Sequence, residues 1–199
     1  MRNESVKGDK MRGSRILIAI AACAASPALA QPAEWLGQGP LDGLVIGHQL
    51  AREGSMIVER IPAGESVQRW TRMATTQRFA GVIARGGSLD EWYGHFMGGL
   101  ANGCPGYRSG PPTRSQVSGR PALAFRVDCP RNPATGLPET FLLRAIAGQN
   151  DLHISQVAFR RVPSAADIAW ASRHLDTVTL CTARSPVPAC RAGPETFDR

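Results

Sequence analysis

Residues 140–160 read TFLLRAIAGQNDLHISQVAFR. Two apolar-rich runs, Thr140 to Ala147 and Leu152 to Arg160, flank Gly148-Gln149-Asn150-Asp151, residue types that favour a tight turn, so the stretch reads as a β-hairpin. A connection this short joins only antiparallel strands, because parallel neighbours need a crossover of about a dozen residues or more. The second half of the chain is therefore expected to rest on an antiparallel sheet. Upstream, Leu123, Phe125, Val127 and Cys129 alternate with Ala124, Arg126 and Asp128, the period of a strand with one face in a core. Downstream, Ser164 with Asp167 opens a helix that carries Ile168, Ala171, Ser172 and Leu175 on one face.

Towards the N-terminus, Leu44 to Ala51 and Ser55 to Ile61 form a strand pair around Arg52-Glu53-Gly54, with Gly54 able to take positive φ in the turn. Pro62-Ala63-Gly64 ends it, and the threonine content from about Trp70 onward favours another strand. Ser88-Leu89-Asp90-Glu91 is a capping box, followed by Leu89, Trp92, Tyr93, Phe96 and Leu100 on one helical stripe that ends near Asn102-Gly103. Gly94, Gly98 and Gly99 weaken that helix by up to about 1 kcal/mol each relative to alanine, tolerable where another backbone packs close or a face must stay flat. Residues 105–121 are rich in glycine and proline and read as a long loop. The order of elements predicts an α+β fold: one domain over residues 44–181, an antiparallel sheet of about six strands and two flanking helices. Residues 31–43 are a lead-in segment, and residues 182–199 an irregular tail.

At 199 residues and 21.3 kDa the chain has the size of one domain, and its formal charge of +7 raises the question of nucleic acid or a membrane surface. The first 30 residues answer part of it. A basic stretch to Arg15, the apolar run Ile16 to Ala22 and the Ala28-Leu29-Ala30 site form a secretory signal peptide cleaved after Ala30, with Met11 an alternative start. The apolar run is shorter than the roughly 20 residues that span a bilayer. Ile20-Ala21-Ala22-Cys23 resembles a lipobox and would make Cys23 a lipid anchor; ordinary cleavage is preferred because the Ala-x-Ala site lies further on and the apolar run before Cys23 is short. Cleavage removes 5 of 23 basic and 2 of 16 acidic residues, leaving 18 against 14, or +4. The exported chain has no lysine and no basic run longer than Arg160-Arg161, so nucleic acid is not an expected partner and no transmembrane span is expected in the mature chain.

Periplasmic or secreted location fits the cysteines. Cys104, Cys129, Cys181 and Cys190 remain, an even number in a compartment that permits disulfides. The pairing Cys104–Cys129 with Cys181–Cys190 is preferred, since the first flanks the Gly/Pro-rich segment and the second closes a short tail. The absence of C-x-x-C spacing argues against zinc.

Catalytic signatures are missing: there is no G-x-S-x-G elbow, S-x-x-K or P-loop, and His48, His95, His153 and His174 stand singly. No metal or cofactor is expected. Gly86-Gly87-Ser88 before a helix could offer N–H groups to an anion, but Asp90 and Glu91 already occupy that field. Two binding surfaces are candidates. Trp170, Arg173, His174 and Thr177 lie opposite Ile168 and Leu175 on the second helix, an aromatic beside cations in an expected solvent-facing stripe; the competing reading places Trp170 under the C-terminal tail. Arg69, Arg72 and Arg78 form the other group, in which Arg72 and Arg78 share strand parity.

The stretch Glu59-Arg60-Ile61-Pro62-Ala63-Gly64-Glu65, followed by Trp70-Thr71-Arg72-Met73, in this order of elements resembles small secreted bacterial proteins of uncharacterised function. More distantly, residues 44–181 are similar to the PsbP-like α+β fold. The resemblance implies that fold and supplies no catalytic residue. The expectation is a non-enzymatic binding or envelope-associated domain with an envelope or protein partner. Two alternatives are a periplasmic hydrolase assembled from His48, Glu53 and His95, and a structural or stress-related envelope component that takes no ligand.

Overall fold

A computed structural model describes residues 33–195. The expected signal peptide and the lipid-anchor alternative at Cys23 lie outside the described residues. The chain runs β1 (Glu34–Gly37), β2 (Leu44–Arg52), β3 (Ser55–Pro62), β4 (Arg72–Phe79), α1 (Leu89–Gly103), β5 (Arg108–Ser109), β6 (Thr113–Val117), β7 (Arg120–Cys129), β8 (Glu139–Ala147), β9 (Leu152–Phe159), α2 (Ala165–Thr177) and β10 (Thr179–Thr182). One sheet has the order β2-β3-β4-β9-β8-β7-β5, with β6 also on β7; β1 and β10 form a separate two-stranded ribbon. All of these pairings are antiparallel.

The α+β class and the antiparallel sheet agree with the sequence, but about six strands is a miscount: the main sheet has eight. The additions lie where proline and glycine suggested irregular chain. β5 and β6 both pair with β7, interrupted by Gly110-Pro111-Pro112, where proline removes N–H groups from the ladder. So the 105–121 loop is in part sheet edge. In the lead-in segment, β1 is stabilised by its pairing with β10. Hairpin β2–β3 turns on Glu53 (φ 47) and Gly54 (φ 82), the paired left-handed conformations that match the twist of adjacent strands.

Side chains alternate between the two sheet faces, and each face has its own core. Phe141, Leu143 and Ala145 of β8 join Met73, Leu123, Phe125, Val127 and Ile154 under the aromatic stripe of α1. There Phe96 meets Phe141 edge-on at 6.0 Å and Tyr93 meets Phe125 at 5.1 Å. The intervening residues Leu142 and Ile146, with Val157 and Phe159, pack on the other face against Ala171 and Leu175 of α2. Covering on both sides explains why β8 and β9 read as almost unbroken apolar runs. Cys104–Cys129 ties the end of α1 to the end of β7, and Cys181–Cys190 folds the tail back on β10, the pairing expected.

Candidate functional site

The α2 face of the sheet carries the polar residues of interest. On β4, Met73 points into the α1 core, so Arg72, Ala74, Thr76 and Arg78 point towards the α2 side. Arg60 of β3 is paired with Ala74, which sets it diagonally from Arg72, within reach of long side chains. Above them, α2 starts at a complete capping box between Ser164 and Asp167, reinforced by Arg161, whose two guanidinium nitrogens donate to Asp167 at 2.6 and 2.9 Å. A helix so fixed brings Trp170 and His174, one turn apart, over β4.

The result is a stacked array. The guanidinium carbon of Arg72 stands 4.1 Å from the centre of the Trp170 ring, and the His174 ring lies parallel to Trp170 within 12°, 5.9 Å between centroids. Cation–π contact of this kind contributes about 0.5–2 kcal/mol. Arg60 completes the cluster: its Nη2 donates to Glu195 Oε1 at 2.5 Å. Burial and then the charge of Arg60 hold His174 below its ordinary pKa, so the ring is neutral at neutral pH. Arg60 Nη1, Arg72 Nε and His174 Nε2 are all buried without a hydrogen-bond partner among the described residues. Nine buried side-chain polar atoms lack a partner among the described residues, and three of them belong to this one cluster of two arginines and a histidine.

Three of the five residues singled out in the sequence, Arg72, Trp170 and His174, thus converge from two elements. The expected solvent-facing stripe is corrected, however: His174 is only 6% exposed and Trp170 is half-buried, while Arg173 faces solvent. The expected strands β4 and β3 run beneath this flank of α2 and cover it. Arg78 belongs elsewhere, paired with Asp151 at 3.2 Å, and Arg69 is exposed in the turn it forms with Ser66. Arg60 and Glu195 were missed, because the β3–β4 register and the return of the tail join residues 135 positions apart. Of the hydrolase alternative, His48 is exposed on edge strand β2, Glu53 sits in the β2–β3 turn, and His95 is exposed on α1. His48 and Glu53 are separated by roughly 16 Å of extended chain. Among the described residues, no hydrogen bond or ion pair joins any two of the three.

A second buried cluster lies at the β8–β9 turn. Glu34, Asp151 and His153 place ligand-type atoms within 4.8 Å of one another. The two carboxylates are already committed, while His153 Nε2 makes no hydrogen bond among the described residues. Glu34 accepts the backbone N–H groups of Gln149, Asn150 and Asp151 at 2.8–3.1 Å, and Asp151 accepts Gly81 N–H and Arg78. His153 Nε2 stands 3.5 Å from Glu34 Oε1. Gly148 is required sterically, since a Cβ there would lie 2.1 Å from Glu34 Oε1. Donors converging on a carboxylate suit an anion rather than a cation, so these residues act as a latch that fixes β1 to the hairpin.

Fold and site together define a disulfide-bonded α+β domain with a cationic, aromatic cluster between its sheet and second helix. Among the described residues, no helix is long and apolar enough to cross a membrane. No family model and no curated protein matches the chain. Among solved structures, a protein of unknown function from Pseudomonas aeruginosa matches with TM-score 0.43 at 11% identity, over 64% of this chain and 80% of that one. A protein from Bacteroides thetaiotaomicron matches with TM-score 0.41 at 10% identity, over 77% of this chain and 47% of that one. Likeness at that level carries no functional reading.

Proposed function

We propose that the chain is an exported, non-enzymatic binding domain of the periplasm or cell envelope, and that its ligand-contact surface is the Arg60–Arg72–Trp170–His174 cluster. The observation that carries the reading is the convergence of two arginines, a tryptophan and a histidine, with three buried polar atoms that have no partner among the described residues. Tryptophan and arginine are the residue types most enriched where binding energy concentrates. Export is supported by the N-terminal signal pattern and by two disulfides, which persist in oxidising compartments.

The test compares envelope-extract capture by the mature wild-type protein with capture by Trp170→Ala and Arg72→Ala, each checked for a cooperative thermal transition. Loss of the captured species by at least tenfold in folded variants is expected. Identical capture by all three proteins would refute the surface.

A further inference from the structure

Glu195 contacts the cluster in a way that says more about its ligand. Among the described residues, its carboxylate is the one acidic group that pairs with Arg60 or Arg72. It satisfies only part of what it meets. Glu195 Oε1 takes Arg60 Nη2, while Arg60 Nη1 on the same guanidinium is buried and has no partner among the described residues. A guanidinium fork matches two oxygens of one carboxylate side by side, so single-oxygen contact leaves the fork half used. Beside it His174, 6% exposed, holds Nε2 without a partner among the described residues. Among the described residues Glu195 pairs with Arg60 alone, and Arg72 on the adjacent strand stacks on Trp170 with no carboxylate partner.

The tether is short as well. The last covalent anchor of the tail is Cys190, bonded to Cys181, and the chain passes Gly193 in a left-handed conformation (φ 73) before Glu195. Among the described residues, Arg60 is the only side-chain partner of Glu195. A group held on a short connection acts at an effective concentration in the millimolar range, enough to compete with a ligand without excluding it.

We infer that Arg60, flanked by His174 and Arg72, is a receptor site for the carboxylate of an exogenous ligand, and that Glu195 is its resident competitor. This rests on the cluster being the ligand surface, and it fixes the chemical class: a carboxylate that engages both arms of Arg60, supplied by an acidic peptide or a small carboxylic acid. Both sources present the same group to the fork.

The test uses the mature full-length protein and the acetylated, amidated peptide Ala-Gly-Pro-Glu-Thr, which copies residues 192–196, with its Gln analogue as control. Fluorescence polarisation of the labelled peptide reads binding. Glu195→Gln is expected to bind the Glu peptide about fivefold or more tightly than wild type, because the competitor is gone, and to bind the Gln peptide at least tenfold more weakly than the Glu peptide. Adding Arg60→Gln to Glu195→Gln is expected to abolish saturable binding, with Arg60→Lys as the variant that keeps the charge and loses the fork. Acetate that displaces the peptide assigns recognition to the carboxylate alone, and acetate that does not assigns it to an acidic peptide; both support the site. Equal affinity of the Glu and Gln peptides, an unchanged affinity in Glu195→Gln, or tighter displacement by inorganic phosphate than by acetate and the peptide overturns it. These outcomes are separate from extract capture: capture lost in Trp170→Ala with no dependence on Glu195 would leave the ligand surface standing and remove the competitor.

Discussion

Glu34 shows how much one side chain can hold. It is 4% exposed, and its carboxylate joins β1 to the β8–β9 turn through three backbone N–H groups. Burial alone would raise its pKa, but the His153 side chain and the three N–H groups outweigh it and lower the value from 4.5 to about 2. Because the folded value lies below the unfolded one, this stabilisation is complete above about pH 4.5 and is lost as pH falls towards 2. Glu34→Gln is expected to cost about 1–3 kcal/mol at neutral pH, since buried donors lose an ionised acceptor. Urea unfolding across pH 2–7 checks it: the variant should show a shallower loss of stability between pH 4.5 and 2 than wild type. Nothing local announced this residue. Its partners lie 115 to 117 positions away, and a carboxylate four residues past the expected cleavage site reads as an ordinary surface charge.

Among the elements, the helices were the most legible, because capping and periodicity are local. The expected capping box of α1 formed, Ser164 and Asp167 close a second one at the expected start of α2, and the stripe of α1 packs as its spacing requires. The glycines of α1 are a different matter. Gly94, Gly98, Gly99 and Gly103 have no atom within 4 Å of where a Cβ would stand, so no described part of the chain packs close enough to require them. Gly94→Ala and Gly98→Ala are therefore each expected to stabilise the helix by up to about 1 kcal/mol and to raise the melting temperature of the isolated protein by roughly 2–4 °C. Calorimetry reads this directly, and a fall in melting temperature would contradict the open surface. On α2 the expected stripe failed for a specific reason. Helical periodicity states which residues share a side, but not how much sheet lies beneath that side, and here β4 and β3 extend under Trp170 and His174.

For the molecule as a whole, two disulfides join places that the sheet alone leaves loose, with sequence separations of 25 and 9. In the chain-entropy description each restricts the unfolded chain by about 3 kcal/mol. The Cys104→Ser/Cys129→Ser and Cys181→Ser/Cys190→Ser double variants are expected to lose about that much in equilibrium unfolding. Reductant should destabilise the wild type and leave a protein lacking both bonds unaffected. Charge shows the same dependence on assembly. The formal +7 of the chain falls to +4 once residues 1–30 are set aside, and no run of cations marks a surface. Arg60 and Arg72 nevertheless meet on one face, because adjacent antiparallel strands bring them there.

The sequence by itself determined the α+β class, the antiparallel pairing of the second half, both helices with their caps, and the two disulfides. Each rests on short-range chemistry: turn residues, side-chain periodicity, capping hydrogen bonds and loop closure. Tertiary structure alone decided the eight-stranded width of the main sheet, the recruitment of β1, β5 and β6, the burial of His174, and the meeting of Arg60, Arg72, Trp170 and Glu195. Those outcomes depend on strand register and on which elements cover which face. Register is fixed by the whole sheet and its two cores together, and no local stretch of the chain contains it.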